Sequence, residues 1–178
     1  MASPAHDERC VRQYALVPLI RNEFRRATVE GNRLASTLPP GSSCRPPSQH
    51  DRTELAHLLL DAYRETIDDE GETITEARQA IDDYLQRILP QYSLVAERDG
   101  SLLAMAFTVV VRGTHYIDPV ATASAYKRNG IGAATVSAVL QMLADDDIVD
   151  VGAVITEGNV PSERLFSSLG FERVGVWR

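Results

Sequence analysis

The chain has few cysteines, no long apolar run and no excess of positive charge. Its 178 residues include two cysteines, Cys10 and Cys44, too few for a disulfide framework, and no Cys/His cluster has metal-ligand spacing. Its apolar runs are shorter than the roughly 18–20 residues of a membrane-spanning helix, and its first ten residues lack the order of a secretory signal. The net charge of −7 argues against binding to nucleic acid or anionic membranes. We therefore expect a soluble, cytoplasmic protein without a metal site.

The charge that is present is unevenly distributed. Residues 1–41 hold six basic and four acidic residues, whereas residues 42–178 hold twelve basic and twenty-one acidic residues. A Pro-Pro-Gly sequence at 39–41 coincides with this change and is typical of a loop. The length suits one domain. We therefore predict an N-terminal extension over 1–41 and a main domain over 42–178.

The extension is predicted to contain a strand, Tyr14–Val17, followed by an amphipathic helix. Apolar residues recur near helical spacing from Ile20 and Phe24 to Leu34 and Leu38. Because so short a helix is marginal alone, we expect its apolar face to pack on the main domain or on a partner chain, such as a second copy in a homodimer. A binding arm that uses its arginines is the alternative.

The main domain alternates between helical and strand periods. Two amphipathic helices are predicted after residue 50, and Asp99-Gly100 between two strand-like runs predicts a hairpin. Strand, helix, strand, helix and strand are then predicted over 116–122, 131–144, 148–156, 161–169 and 171–177. This order is typical of a mixed α/β sheet with helices on both faces, which is the fold class that we predict.

A glycine-rich turn connects a predicted strand to a predicted helix. It reads Lys127-Arg128-Asn129-Gly130-Ile131-Gly132-Ala133. The first N–H groups of a helix lack partners within it, and glycine lets a bulky anion approach them, so the turn suits a phosphate or pyrophosphate. The alternative is a tight turn whose glycines serve packing. The third glycine of a dinucleotide-binding motif is absent, and no Gly-Lys-Ser/Thr of a P-loop follows.

A second motif follows the strand predicted over 148–156. It starts at Asn159, continues through Ser162, Leu165 and Phe166, and ends with Gly170-Phe171. Proline at position 161 suits the first turn of a helix, and a glycine suits its end. A helix cap is the structural alternative to a ligand-binding role for the asparagine.

Together the two motifs resemble the GNAT superfamily of acyl-CoA-dependent N-acyltransferases. That superfamily has Arg/Gln-x-x-Gly-x-Gly/Ala at the start of a helix and, after a strand, Asn-x-x-(Ala/Ser)-x-x-Leu-(Tyr/Phe)-x-x-x-Gly-Phe. The resemblance covers about residues 43–178 and implies the GNAT fold, in which two central strands splay apart. Two residues depart from the usual pattern. Lys127 replaces an arginine or glutamine, and Phe166 stands where many members have a tyrosine that protonates the leaving thiolate.

The resemblance implies acetyl-CoA as the cofactor. Its pantetheine arm would pair with the backbone of the splayed strand, like an added strand, and its pyrophosphate would lie on amides of the glycine turn. The cofactor-binding residues expected from the resemblance are Val120, Ala121, Thr122, Lys127, Arg128, Asn129, Gly130, Ile131, Gly132, Ala133, Asn159, Ser162 and Phe166.

The implied reaction is direct attack of an amine on the thioester, which requires a base for the amine proton. Glu157, just after the strand over 148–156, is the first candidate for a catalytic residue. Tyr116 and Asp118 are further candidates because they share one face of a strand with a period of two, and His115 precedes them. The structural alternatives are a turn residue for Glu157, a partner of the proline turn for Asp118, a core position for Tyr116 and a surface position for His115.

An acidic loop connects the first two predicted helices, which cover the acceptor site in this superfamily. Asp68, Glu70 and Glu72 would attract a cationic amine, and with nearby Tyr63 they form the expected acceptor-binding set. A solvated acidic loop is the alternative. We expect an N-acetyltransferase acting on a small-molecule or protein amine. An acyl-CoA-binding sensor or scaffold with little turnover is the alternative, and Phe166 favours it.

Overall fold

The computed structural model describes residues 19–27 and 37–177. In these residues the chain forms one seven-stranded sheet with helices on both faces. The strands are β1 (Arg21–Ala27), β2 (Ser43–Arg45), β3 (Leu94–Arg98), β4 (Ser101–Val111), β5 (Thr114–Thr122), β6 (Asp150–Thr156) and β7 (Glu172–Val176). The helices are α1 (Arg52–Tyr63), α2 (Ile74–Arg87), α3 (Ile131–Asp145) and α4 (Val160–Ser168). The predicted mixed α/β fold is confirmed.

The strand order is β2-β3-β4-β5-β6-β1-β7. β5 and β6 are parallel, and each of the other neighbouring pairs is antiparallel. Turns at Asp99-Gly100 and Arg112-Gly113 connect β3, β4 and β5, and all four turn residues have positive φ. Positive φ at both central positions is the geometry of the turns that favour hairpins. The hairpin predicted at Asp99-Gly100 is therefore present.

Two hydrophobic clusters hold the helices to the sheet. On one face, Leu55 of α1 and Ile81 of α2 are buried in the same cluster as Phe107 of β4. On the other face, Val136 of α3 belongs to a cluster with Ala106 of β4 and with residues of α4, β5 and β6. β4 is therefore covered on both sides, in agreement with its almost continuous burial. Among the described helices, none is long and apolar enough to cross a bilayer.

The predicted N-terminal helix is wrong over 21–27, where the chain forms β1 between β6 and β7. Alternate residues Asn22, Phe24 and Arg26 are buried, which is the period of two of a strand. Two of these three residues are polar, so the strand leaves no alternating apolar pattern in the sequence. The predicted strand Tyr14–Val17 and most of the remaining predicted helix lie outside the described residues.

β1 comes from the predicted extension, but its backbone belongs to the sheet of the main domain. The Glu157 N–H donates to the Ile20 carbonyl at 2.8 Å, and the Trp177 N–H donates to the Arg21 carbonyl at 2.8 Å. These two bonds continue the pairing of β1 with β6 on one side, and with β7 on the other, as far as the first residues of β1. The start of β1 is thereby held beside the end of β6.

Candidate active site

β5 and β6 pair at one end and then separate. Their parallel ladder joins His115 with Val151 and Tyr116 with Gly152. A Cβ at position 152 would lie 2.2 Å from the ring of Tyr116, so this close pair requires glycine. Beyond this pair the sheet opens into a V-shaped gap, and the Tyr116–Gly152 pair is its apex.

The backbone of β5 presents polar groups to this gap. The Ala123 N–H donates to the Leu103 carbonyl of β4 at 2.9 Å. Because backbone groups alternate sides along a strand, Ala121 also faces β4, whereas the N–H groups of Val120 and Thr122 face the gap. An extended ligand arm in the gap would meet these two N–H groups.

Helix α3 begins at the open end of the gap, at the predicted glycine turn. Gly130 precedes the helix with φ of 77°, a conformation that favours glycine. A Cβ on Gly132 would lie 2.6 Å from Oγ1 of Thr122, so glycine lets the first turn of α3 contact the end of β5. Arg128 has φ of 65°, an unusual conformation for a residue with a side chain. Gly130 thus serves the conformation of the turn, whereas Gly132 serves the packing that places the start of α3 at the gap.

The other residues of the turn differ in their surroundings. The Lys127 ammonium donates to the Ala62 carbonyl at the end of α1 at 2.7 Å, where a cation complements the helix dipole. Ile131 is buried, whereas Arg128 and Asn129 are exposed and Ala133 is half-buried. Arg128 is therefore the cation of the turn that is exposed to solvent.

Asn159 connects two parts of the site. Its Oδ1 accepts from the Ser162 N–H at 3.1 Å, which caps α4. Its Nδ2 donates to Asp68 Oδ2 on the α1–α2 loop at 2.6 Å. The predicted cap is therefore present, and the same side chain also holds an acidic residue of the loop at the gap.

A cavity of about 250 Å³ occupies the gap. Its lining includes all four residues of the expected acceptor-binding set, together with Asp118. Four expected cofactor-binding residues also line it, namely Val120, Asn159, Ser162 and Phe166. Phe166 is buried and packs edge-to-face on Phe171, with ring centroids 5.0 Å apart. The four expected acceptor-binding residues and four of the thirteen expected cofactor-binding residues thus meet around one cavity, whereas the residues of the glycine turn are not in its lining.

Asp118 lies at a β-bulge, where Asp118 and Pro119 of β5 oppose the single residue Phe107 of β4. Bulges often redirect side chains next to active sites. The Tyr84 hydroxyl of α2 donates to Asp118 Oδ2 at 3.3 Å. Burial raises the pKa of Asp118, while this hydrogen bond and the charge of Arg21 act in the opposite direction. The raised pKa makes this carboxylate a stronger base than an exposed aspartate.

A family model described as the acetyltransferase (GNAT) family matches residues 52–171, well over half of the chain. The chain belongs to the GNAT acetyltransferase family. The match begins at α1 and ends just before β7, so β1 and β2 lie outside it. A search of curated protein sequences found no match.

Solved structures share the GNAT fold at low sequence identity. A GCN5-related N-acetyltransferase from Sphaerobacter thermophilus aligns with a TM-score of 0.69 and 15% identity, over 89% of this chain and 50% of that one. The ribosomal-protein-S18-alanine N-acetyltransferase of Escherichia coli aligns with a TM-score of 0.62 and 18% identity, over 77% and 81%. An AAC(6')-Iy structure with a CoA-containing bisubstrate analog has a TM-score of 0.58, 16% identity and coverage of 77% and 97%. The chain spans about half the length of the Sphaerobacter protein.

Two other candidate catalytic residues of the GNAT domain lie in different surroundings. The Tyr116 hydroxyl, at the apex of the gap, donates to Glu23 Oε1 at 2.6 Å, and its buried ring packs on Trp177. The half-exposed carboxylate of Glu157 lies 3.8 Å from an Arg173 guanidinium nitrogen, and Glu157 is not among the described residues that line the cavity. Of the three candidates, Asp118 lines the cavity.

The GNAT cavity also contains two residues to which sequence reasoning assigned no role at the site. Tyr84 belongs to the second of the two helices predicted after residue 50, and Arg21 falls in the segment predicted as the N-terminal helix. Both line the cavity with Asp118. No sequence signal connects them to it, because they come from other elements. Residues 19–27 and 37–177 contain no His/Cys/Asp/Glu group arranged to hold a metal ion.

Proposed function

We propose that the protein transfers an acetyl group from acetyl-CoA to a primary amine of a small molecule or protein. The observation that carries this proposal is the gap between β5 and β6, which opens at the start of α3 and is lined by a half-buried carboxylate, Asp118. This arrangement brings a site for an extended, phosphate-bearing arm next to a base. The proposal is supported by the GNAT family match together with this local geometry.

The residues present fit coenzyme A. The N-terminal amides of α3 at Ile131, Gly132 and Ala133 suit its pyrophosphate, and the exposed Arg128 adds positive charge beside them. The gap-facing N–H groups of Val120 and Thr122 suit the amides of its pantetheine arm. When bound, acetyl-CoA supplies a thioester carbonyl that an amine can attack, with the coenzyme A thiol as the leaving group.

Asp118 is the residue that we propose as the base. It must accept a proton from the acceptor amine, and its raised pKa suits this role. The Tyr84 hydroxyl holds one carboxylate oxygen, so the carboxylate has a fixed orientation while the other oxygen remains available to the acceptor. Burial also raises the pKa of Tyr84 and that of neighbouring Tyr63, so both phenols remain neutral at physiological pH.

The acidic residues of the α1–α2 loop would concentrate a cationic acceptor at the cavity. Asp68, Glu70 and Glu72 all line it. Each carboxylate attracts an ammonium by about 1 kcal/mol at 4 Å in water and by more where water is excluded. The hydrogen bond from Asn159 orients Asp68 in this set.

The proposal is tested by following free thiol release from acetyl-CoA with a panel of primary amines. We expect amine-dependent release that falls by about 100-fold or more in Asp118→Asn, with the acetylated amine detected by mass spectrometry. Glu157→Gln is a matched control, because this exposed carboxylate lies outside the described lining of the cavity. Release without an acetylated amine would contradict the transfer reaction.

Phe166 favours a second candidate function, an acyl-CoA-binding sensor or scaffold with little turnover. Its ring lines the cavity and has no proton to give to a leaving thiolate. In that case calorimetry would show saturable acetyl-CoA binding, while thiol release would stay at the background rate with every amine of the panel.

A further inference from the structure

Arg21 stands at the end of β1 that lies at the cavity. Its backbone is fixed on both sides, because Arg21 is in register with Thr156 of β6 and its carbonyl accepts from the Trp177 N–H. Thr156 lines the same cavity. The position of this residue is therefore set by the sheet, although it lies outside the segment that matches the GNAT family model.

The side chain of Arg21 projects to the acidic side of the cavity. Asn22 and Phe24 are buried, and Phe24 belongs to the cluster with α3 and α4. Because side chains alternate along a strand, Arg21 lies on the opposite face, towards α1, α2 and their loop. It lines the cavity together with Asp118 and Asp68.

Arg21 is the one basic residue among the described residues that line this cavity, which also has four carboxylates. Within residues 19–27 and 37–177, its guanidinium makes no hydrogen bond or ion pair. Arg25, four residues further along β1 and on the same face, is by contrast paired with Asp150 and Glu23. The charge of Arg21 nevertheless reaches the site, since it lowers the pKa of Asp118. In the part of the chain that the structure describes, the cavity thus combines a cation that has no ion-pair partner with a cluster of anions.

We propose that Arg21 binds the carboxylate of the acceptor, and that the acceptor is therefore an amino acid, with an amine and a carboxylate on one small molecule. The inference rests on the proposed acetyl transfer. A guanidinium binds a carboxylate through two parallel hydrogen bonds, while the ammonium lies among the acidic groups beside Asp118. A diamine would bring a second positive charge to Arg21, and an internal protein lysine has no neighbouring carboxylate.

The test compares each of a series of amino acids with its carboxamide, which keeps the amine and loses the negative charge. We expect wild-type kcat/KM to be about tenfold or more higher for the amino acid, as for a hydrogen bond between charged groups. Arg21→Gln should abolish this preference by raising KM for amino acids, with little change for carboxamides. Arg21→Lys should retain part of it, because it keeps the charge but loses the planar fork.

Arg164→Gln is the matched control, because it removes one positive charge from an exposed residue of α4 that does not line the cavity. It should leave the preference unchanged. Equal use of amino acids and carboxamides by the wild type would overturn the inference while leaving acetyl transfer intact. An equal loss for both acceptors in Arg21→Gln, with unchanged acetyl-CoA binding, would also overturn it, since Arg21 would then act through Asp118. If no amine were acetylated at all, the proposed function itself would fail.

Discussion

Replacing Gly132 with alanine perturbs the contact that places the start of α3 at the gap. The new Cβ would lie 2.6 Å from Thr122 Oγ1, whereas ordinary contacts of this kind begin at 3.4 Å. The helix or the threonine must therefore retreat by about 0.8 Å, in a part of the molecule where Gly132 is buried.

The size of the effect follows from two opposing contributions. Overpacking of a buried contact costs about 1–3 kcal/mol. Alanine is favoured over glycine within a helix by up to about 1 kcal/mol. Rotation of the threonine side chain offers some relief, at a cost of about 1 kcal/mol. We therefore expect Gly132→Ala to lower the free energy of unfolding by about 1–2 kcal/mol and to weaken acetyl-CoA binding, because both residues border the proposed cofactor site.

A double-mutant cycle with Thr122→Ala identifies the contact responsible. Removing the hydroxyl leaves Thr122 Cβ, at 3.9 Å from the new Cβ, as an ordinary contact. In the Thr122→Ala background, Gly132→Ala should then be neutral or stabilising, which corresponds to a coupling of at least about 1 kcal/mol. Urea denaturation measures each variant. A Gly132→Ala protein as stable as the wild type, or a loss of the same size in both backgrounds, would refute the proposed close approach.

Three further expectations concern carboxylates. Asp118→Asn should lower kcat/KM by about 10²- to 10⁴-fold, as for loss of a general base, with acetyl-CoA binding by calorimetry retained. Activity should fall as the pH drops through the raised pKa of Asp118. The hydrogen bond from Tyr84 lowers this pKa in the wild type, so Tyr84→Phe should raise the pKa and move the fall in activity to higher pH. An unmoved pH profile would exclude Asp118 as the titrating group. Two hydrogen bonds from Arg45 lower the pKa of Asp51 to about 2. The ionised Asp51 therefore stabilises the folded protein above its unfolded-state pKa near 4, and this stabilisation is lost as the pH falls towards 2. Asp51→Asn should lower the free energy of unfolding by about 1–2 kcal/mol at neutral pH and should flatten its dependence on pH. An unchanged pH dependence would count against the ion pair between Asp51 and Arg45.

The sequence predicts best what is decided by local chemistry. Asp99 and Gly100 specify a turn because both positions need positive φ. Gly130 and Gly132 mark the start of α3, since one needs a left-handed conformation and the other a close contact. Neither requirement depends on knowing the rest of the fold.

β1 illustrates what local patterns miss. Its inner face consists of Asn22, Phe24 and Arg26, and the two polar residues there are buried because the strand lies between β6 and β7. Alternation of apolar and polar residues is the main signal of a half-buried strand, and it is absent here. Residues 21–27 therefore form a strand because they pair with β6 and β7, which are distant in the sequence, and this pairing also buries their polar side chains.

The candidate site shows the same division. Each of the two cofactor motifs is a continuous stretch of sequence, and together they identify the family without any knowledge of the fold. The hydrogen bond between Tyr84 and Asp118, by contrast, joins residues 34 positions apart, and Arg21 reaches the cavity only because β1 is paired with β6. Such contacts depend on packing between elements, and no spacing in the sequence encodes them.

The most direct test of the central claim is calorimetric titration of the protein with acetyl-CoA. If the gap between β5 and β6 and the amides of α3 hold this molecule, binding should saturate at one equivalent per chain, and coenzyme A should compete for the same site. An absence of saturable heat at millimolar ligand would contradict the proposed role of the gap and, with it, the acetyl transfer.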